Sequence, residues 1–108
     1  MSSDKSNFLA DIKEELFGEA VEAWICGDNG YCDEDDTRFT RCAHNVPLDW
    51  AIAQHALDYK YDTGFGGVDC NQVYVWTPTR VLYVHEYDGS TSVESVPRNP
   101  RALTVGRP

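Results

Sequence analysis

Apolar and acidic positions near the N-terminus repeat with the period of an α-helix. Across residues 7–25, apolar side chains fall on one side of a helical wheel and acidic side chains on the opposite side. The apolar positions are Leu9, Ile12, Leu16, Ala20, Ala23 and Trp24. Ser6 precedes them and is a residue type that commonly caps helices. The pattern predicts a first helix from about residue 7 to residue 25, with Gly18 on its acidic side.

A second apolar segment, residues 47–61, predicts a second helix. Asn45 is a typical N-cap residue just before it, and Pro47 suits the first helical turn. The apolar side chains of this segment cover a broad surface, so we expect the second helix to be more buried than the first.

Three strands are predicted after a glycine-rich break at residues 64–67. They cover residues 72–77, 80–87 and 91–96, and the middle strand shows a clear period of two. Asp88-Gly89 supplies a tight hairpin turn, because glycine tolerates a positive φ. The expected fold class is therefore α+β, with two helices packed on a three-stranded antiparallel β-meander.

The length of 108 residues and the hydrophobic content of 42% suit one domain with one core. No run approaches the ~18 apolar residues of a membrane span, and acids interrupt the first residues where a signal peptide would be apolar. We therefore expect a cytoplasmic protein. The expected single domain, 1–108, comprises an acidic helix and loop at 6–46, the helix at 47–61, the meander at 72–97 and a loose tail at 101–108.

The net charge of −9 is concentrated in the first third of the chain. Residues 1–36 carry eleven acids and two lysines, whereas residues 37–108 carry seven acids and seven bases. Such a field repels the backbone of nucleic acid and attracts basic protein surfaces. Direct binding to nucleic acid is therefore not expected. Simple solubility is the competing explanation of the charge.

The acids of the predicted first helix form a row. Asp11, Glu15, Glu19 and Glu22 recur at i, i+4, i+8 and i+11, which places neighbours ~6 Å apart along a helix that rises 1.5 Å per residue. Phosphates along a nucleic-acid strand have a similar spacing, so the row can mimic nucleic acid towards an Arg- and Lys-lined groove. An ordinary solvated helix face is the alternative. The predicted partner-binding residues are Asp11, Glu14, Glu15, Glu19, Glu22, Asp33, Glu34, Asp35 and Asp36.

Four residues have side chains that suit zinc, namely Cys26, Cys32, Cys42 and His44. Their spacing, C-x5-C-x9-C-x-H, lacks the paired C-x2-C of common structural zinc sites. Buried cysteines that serve as small apolar residues are the alternative. We predict neither a metal site nor a cofactor from this pattern.

Two further kinds of chemistry receive little support. The acids around residues 28–36 offer oxygen ligands, but their spacing does not match an EF-hand calcium loop. His55 and His85 lie in a predicted helix and a predicted strand, and no nucleophile motif such as G-x-S-x-G is present. We therefore expect a protein that is not an enzyme. A small metal- or thiol-dependent enzyme stays an alternative.

Aromatic residues are abundant, with three tryptophans, six tyrosines and four phenylalanines. If the helices cover one face of the sheet, the other face is left exposed. Some of Tyr74, Trp76, Tyr83 and Tyr87 would then form a patch suited to a partner, because aromatic side chains are favoured at the centres of interfaces.

The stretch from Leu57 to Pro100 reads LDYKYDTGFGGVDC and then VYVWTPTRVLYVHEYDGSTSVESVPRNP. It resembles small proteins carried by phages and other mobile elements, among them anti-CRISPR proteins. The resemblance covers about 40% of the chain and does not extend to the acidic segment. It implies an inhibitor that binds a bacterial Cas effector protein or complex and blocks its binding of nucleic acid. The alternative is a phage accessory protein that binds another basic host factor. If a phage encodes the chain, we expect it in the host cell cytoplasm.

Overall fold

The computed structural model describes residues 5–27, 41–64, 70–87 and 90–98, and in these parts the chain is mostly β. Two helices and seven strands lie within the described residues, arranged as a two-stranded and a five-stranded sheet. The strands are β1 (Lys5–Asn7), β2 (Ala23–Cys26), β3 (Pro47–Leu48), β4 (Lys60–Asp62), β5 (Val73–Trp76), β6 (Arg80–Tyr87) and β7 (Ser90–Pro97), and the helices are α1 (Phe8–Leu16) and α2 (Trp50–Ala56). The expected α+β fold of two helices on a three-stranded meander is therefore wrong.

The three predicted strands are present, but they form only part of a larger sheet. β5, β6 and β7 pair antiparallel in chain order. β2 pairs with the other side of β5, which places Trp24 opposite Val75, and β3 pairs with β2, which places Leu48 opposite Trp24. The order across the sheet is β3-β2-β5-β6-β7. The last part of the predicted first helix thus forms an interior strand of the sheet, second from its β3 edge.

The first helix is shorter than predicted, because α1 ends at Leu16. Phe17 lies in the left-handed region with φ 51°, and Gly18 follows with φ 83°, so two consecutive residues turn the chain out of the helix. Asn7, rather than Ser6, is the N-cap, and its side chain accepts a 2.9 Å hydrogen bond from a backbone N–H of the first turn. Gly18 therefore belongs to the stop signal of the helix instead of its polar face.

The residues beyond that stop form a strand. Trp24 and Cys26 are fully buried, while Ala23 and Ile25 are half-buried, which is the period of two that a strand produces. By periodicity alone, a short apolar run fits a helix and a buried strand equally well. Pairing with β5 and β3 satisfies the backbone groups of β2 on both sides, and this long-range contact decides the outcome.

The second helix is also shorter than predicted. α2 begins only at Trp50, and Asp49 caps it by accepting a 3.1 Å hydrogen bond from a backbone N–H of the first turn. Pro47 belongs to β3, and Asn45, which was predicted to cap the helix, has a φ of 65° and precedes this strand. The last residues of the predicted helix form β4, which pairs with β1.

One hydrophobic core joins both helices to the inner face of the five-stranded sheet, the face that carries Trp24, Val75 and Leu82. All three side chains are fully buried. The Trp24 indole satisfies its polar group by donating a 2.8 Å hydrogen bond to the carbonyl oxygen of Asp49, just before α2. Neither helix in the described parts is long and apolar enough to cross a membrane.

Candidate functional site

Three acidic side chains of α1 line a groove. The groove has a volume of about 300 Å³, and Asp11, Glu14 and Glu15 are among the residues that line it. No basic side chain of the described residues lines it. The other lining residues are Ser6, Tyr61, Thr63, Thr91, Ser92 and Val93. Five of these six carry hydroxyl groups, so the groove offers both negative charge and hydrogen-bond acceptors to a cationic group.

Asp11 is held in place by two hydroxyl donors. The Ser6 hydroxyl donates to Oδ1 at 2.8 Å, and the Tyr61 hydroxyl donates to Oδ2 at 2.7 Å. Burial, together with the hydrogen bond to Asp11, raises the pKa of the Tyr61 hydroxyl well above its usual value, so this group keeps its proton at neutral pH. The carboxylate is thus fixed before any ligand arrives, which lowers the entropic cost of binding one.

The predicted row of acids along one helix does not exist. Asp11, Glu14 and Glu15 lie on α1, but Glu19 and Glu22 lie after the helix end, in the connection to β2. The two groups of acids therefore do not share the spacing of a single helix, and the phosphate-like geometry expected from the sequence is wrong.

Arg80, at the start of β6, neutralises part of the acidic surface. Its Nε lies 3.0 Å from Glu19 Oε2, and its Nη1 lies 3.6 Å from Glu15 Oε2. Hydrogen bonding by the Thr77 and Thr79 hydroxyls, followed by the contact with Arg80, lowers the pKa of Glu19. Glu19 therefore stays ionised to lower pH than an ordinary glutamate.

Glu22 is paired with Arg98, which also donates a 2.8 Å hydrogen bond to the Thr77 carbonyl oxygen. Sequence reasoning missed both arginines, because Arg80 and Arg98 follow their acidic partners by 61 and 76 residues. The only available signal was the presence of seven bases in a segment of zero net charge. Which base faces which acid depends on strand pairing.

Glu14 differs from the other acids of this surface. It is exposed and makes no side-chain hydrogen bond or ion pair with the described residues. Together with the fixed Asp11, it leaves the groove negatively charged even though Glu15 contacts Arg80. The run from Asp33 to Asp36 (Asp33, Glu34, Asp35 and Asp36), the other part of the predicted binding surface, lies outside the described residues.

A second cluster brings together three of the four residues with zinc-type side chains. One ligand atom each from Cys26, Cys42 and His44 lies within 4.8 Å of the others. Cys26 is fully buried, while Cys42 and His44 are half-buried. Burial raises the pKa of the Cys42 thiol, and the hydrogen bond with Cys26 lowers it to a smaller extent. Cys32, the fourth residue of the predicted set, lies outside the described residues, as do the acids at 28–36 considered for calcium.

The two remaining histidines lie outside this cluster. His55 is exposed on α2, and His85 packs edge-on against the Tyr83 ring with 6.4 Å between ring centroids. Cys70 is buried and is not a member of the cluster. The described residues therefore contain one grouping of thiol and imidazole side chains, and it is built from Cys26, Cys42 and His44.

The outer face of the five-stranded sheet carries an aromatic patch. Tyr74 lies opposite Tyr83 across β5 and β6, and the rings of Tyr74 and Trp76 lie 6.1 Å apart. Tyr74 is 56% exposed, and Trp76 and Tyr83 are half-buried. The expectation that one sheet face packs the helices while the other presents aromatic side chains is confirmed for these three residues.

Comparison of the chain with protein-family models, with curated proteins and with solved structures finds no match. Function is therefore proposed from the residues, their geometry and the resemblance of residues 57–100 to small phage proteins.

Proposed function

We propose that this chain is a binding protein without catalytic activity that occupies a basic, nucleic-acid-binding surface of a bacterial Cas effector, as an anti-CRISPR inhibitor does. The observation that carries the proposal is the groove lined by Asp11, Glu14 and Glu15, with no basic side chain of the described residues in its wall. The resemblance of residues 57–100 to small phage proteins supports the choice of partner.

Competition with nucleic acid does not require a phosphate-like row of acids. Arg and Lys side chains of a nucleic-acid-binding protein provide most of its affinity by contacting phosphates. A groove that accepts guanidinium or ammonium groups withdraws those side chains from the nucleic acid. Asp11 is already oriented by Ser6 and Tyr61, and Glu14 is exposed, so the groove can pair with a cation without losing an existing ion pair.

The remaining acids act at longer range. Glu19 and Glu22 are paired with arginines and therefore contribute less to a new contact. The net charge of −9 still steers the chain towards a positive surface and raises the association rate at low salt. Screening shortens this effect to about 8–10 Å at physiological ionic strength, so only close pairs contribute strongly once the complex has formed.

A competition experiment tests the proposal. Purified chain is added to each of a panel of Cas effectors, and the release of labelled guide or target nucleic acid is measured. The double variant Glu14→Gln/Glu15→Gln keeps side-chain shape and removes two charges from the groove. We expect it to weaken competition about tenfold or more, equivalent to about 1.4 kcal/mol, and to reduce the dependence on salt.

The matched control is the double variant Asp49→Asn/Asp58→Asn, which makes the same change in net charge at exposed positions on either side of α2, and neither residue lines the groove. It should compete nearly as well as the natural chain. Equal loss in both double variants would mean that only total charge matters. The assignment of the partner would be refuted if the chain released nucleic acid from no Cas effector of the panel. Binding to a different basic host protein instead would refute it as well.

A further inference from the structure

We infer that Cys26, Cys42 and His44 are three ligands of a zinc ion. Their three ligand atoms lie within 4.8 Å of one another. Cys26 is buried at the end of β2, and the other two side chains are half-buried and precede β3. The proposal is independent of the binding function proposed above, because none of these residues lines the acidic groove.

The distances suit a single ion. With Zn–S about 2.3 Å and Zn–N about 2.0–2.1 Å, tetrahedral geometry separates neighbouring ligand atoms by roughly 3.5–3.8 Å. The observed limit of 4.8 Å leaves at most about 1.3 Å to close, which small side-chain rotations supply. Two thiols and an imidazole are ligands that select zinc over hard cations such as calcium or magnesium, which prefer oxygen.

The backbone holds the two halves of the cluster together. The Asn45 N–H donates a 2.7 Å hydrogen bond to the Cys26 carbonyl oxygen, so the residues after Cys42 and His44 are fixed to the end of β2. Next to Cys26, the Gly27 N–H donates a 2.6 Å hydrogen bond to the Gln72 carbonyl oxygen. The sheet itself therefore sets the positions from which the ligands extend.

The burial of the three side chains favours metal binding at this cluster. Cys26 is fully buried, and the Nε2 atom of His44 is shielded from solvent. Ion–ligand attraction is stronger in a site that excludes water. The Cys26 thiol contact with the Gly27 carbonyl oxygen is long, at 3.8 Å, so its loss on metal binding costs little.

Zinc at this point would join two parts of the chain that are 16 positions apart, Cys26 and Cys42. An ion that binds only the folded form stabilises that form by mass action. The expected effect is therefore to stabilise the fold: the ion fixes where the chain leaves β2 and where it returns to β3, and a water molecule or a further ligand would take the fourth tetrahedral position.

Cobalt and zinc titrations of the full chain test the proposal. Metal-free protein in a non-chelating reductant is titrated with Co²⁺ and then with Zn²⁺. We expect one cobalt per chain, the visible bands of tetrahedral cobalt, and near-ultraviolet thiolate-to-cobalt bands with the intensity of at least two thiolates. Zinc should abolish these bands and raise the midpoint of thermal unfolding of the natural chain in proportion to the logarithm of its concentration.

Variants separate this site from adventitious binding. Cys42→Ser and His44→Asn, at half-buried positions, should each weaken cobalt binding by roughly 100-fold or more, beyond the 10–100-fold typical of outer-shell changes. Cys70→Ser is the control and should keep the bands of the natural chain. Absence of thiolate bands in the reduced natural chain, or bands of unchanged intensity in both Cys42→Ser and His44→Asn, would overturn the proposal. So would a thermal midpoint that zinc does not move, a measurement that needs no variant.

Discussion

Arg80 connects more parts of the molecule than any sequence pattern indicated. Its Nη2 donates a 2.7 Å hydrogen bond to the Leu16 carbonyl oxygen at the end of α1, and its Nε binds Glu19 just beyond. Its Nη1 lies 3.2 Å from the Ser95 hydroxyl on β7. A cation at a helix C-terminus interacts favourably with the helix dipole and satisfies a free carbonyl group. One side chain of β6 thus links α1, the following connection and the edge strand.

The carboxylate of Glu19 makes the stability of this junction depend on pH. The folded chain lowers the pKa of Glu19 from its ordinary value of 4.5, so ionised Glu19 stabilises the fold above pH 4.5. That contribution is lost as the pH falls below 4.5 and through the folded pKa. We expect Glu19→Gln to be less stable than the natural chain at neutral pH and to lose less stability between neutral pH and pH 3. Urea unfolding at a series of pH values measures the effect.

The control for this prediction is Glu86→Gln, which removes an exposed carboxylate that has no side-chain hydrogen bond with the described residues. Its stability should follow the pH profile of the natural chain. If Glu19→Gln and the natural chain lose stability in parallel on acidification, the hydrogen bonds to Glu19 do not contribute to folding.

At the scale of the elements, the break between α1 and β2 decides the architecture. Phe17 and Gly18 both have positive φ, and the chain then leaves the helix for the sheet. An L-residue other than glycine costs roughly 1–2 kcal/mol in this region. The Phe17 side chain recovers part of that cost, because the Arg80 guanidinium lies 5.3 Å from its ring centroid. Gly18 avoids the cost altogether.

We expect Gly18→Ala to destabilise the fold by about 1 kcal/mol through backbone strain alone. No atom lies within 4 Å of a Cβ added at Gly18, so crowding does not contribute. The matched control is Gly27→Ala: Gly27 is not among the residues of positive φ, and its added Cβ would meet ordinary contacts of 3.5–3.8 Å. Denaturant unfolding should show a loss only in Gly18→Ala. An unchanged stability of that variant would mean that the turn relaxes to another conformation.

The elements that the sequence predicts well are those with local causes. β5, β6 and β7 follow one another, alternate with a period of two and need only near neighbours to pair. β2 and β3 depend on partners far along the chain. Their apolar runs are too short to distinguish the 3.6-residue period of a helix from the two-residue period of a strand. The helix prediction failed because Ala23 and Trp24 extend the apolar face of a helix, whereas the alternation that buries Trp24 and Cys26 on one side of a strand spans only four residues.

The candidate site was predictable in its residue types but not in its geometry. Composition identified the acids, yet their pairing with Arg80 and Arg98 required the sheet register. The spacing of Cys26 and Cys42 resembles no common zinc motif, because the sheet, and not a local knuckle, brings them together. Ligands that converge through tertiary structure leave no short motif.

At the scale of the whole molecule, the five-stranded sheet is packed on one face. Val75 and Leu82 are fully buried on the inner face, while Tyr74 on the outer face is 56% exposed. None of the described elements contributes an outer-face residue to the hydrophobic core. Neighbouring positions of one strand therefore have opposite roles: one side chain packs in the core and stabilises the fold, and the next is exposed at the surface.

This asymmetry predicts opposite sensitivities for two adjacent residues of β5. Val75→Ala should destabilise the fold by about 2 kcal/mol, because it removes two buried methyl groups and leaves a small cavity. Tyr74→Thr keeps a strand-forming residue and should cost less than about 1 kcal/mol. Urea unfolding of both variants measures the difference. A larger loss in Tyr74→Thr would show that the outer face is packed against other parts of the chain.

The interior position of β2, between β3 and β5, also affects the order of events during biosynthesis. Trp24 pairs with Leu48 and with Val75, so one neighbour of β2 emerges from the ribosome 24 residues later and the other 51 residues later. Until β5 has been translated, an apolar strand that becomes an interior strand of the sheet has an open edge. β6 and β7, by contrast, form a hairpin as soon as both exist. The nascent N-terminal half is thus the aggregation-prone stage of this protein, and completion of its fold waits for the C-terminal half.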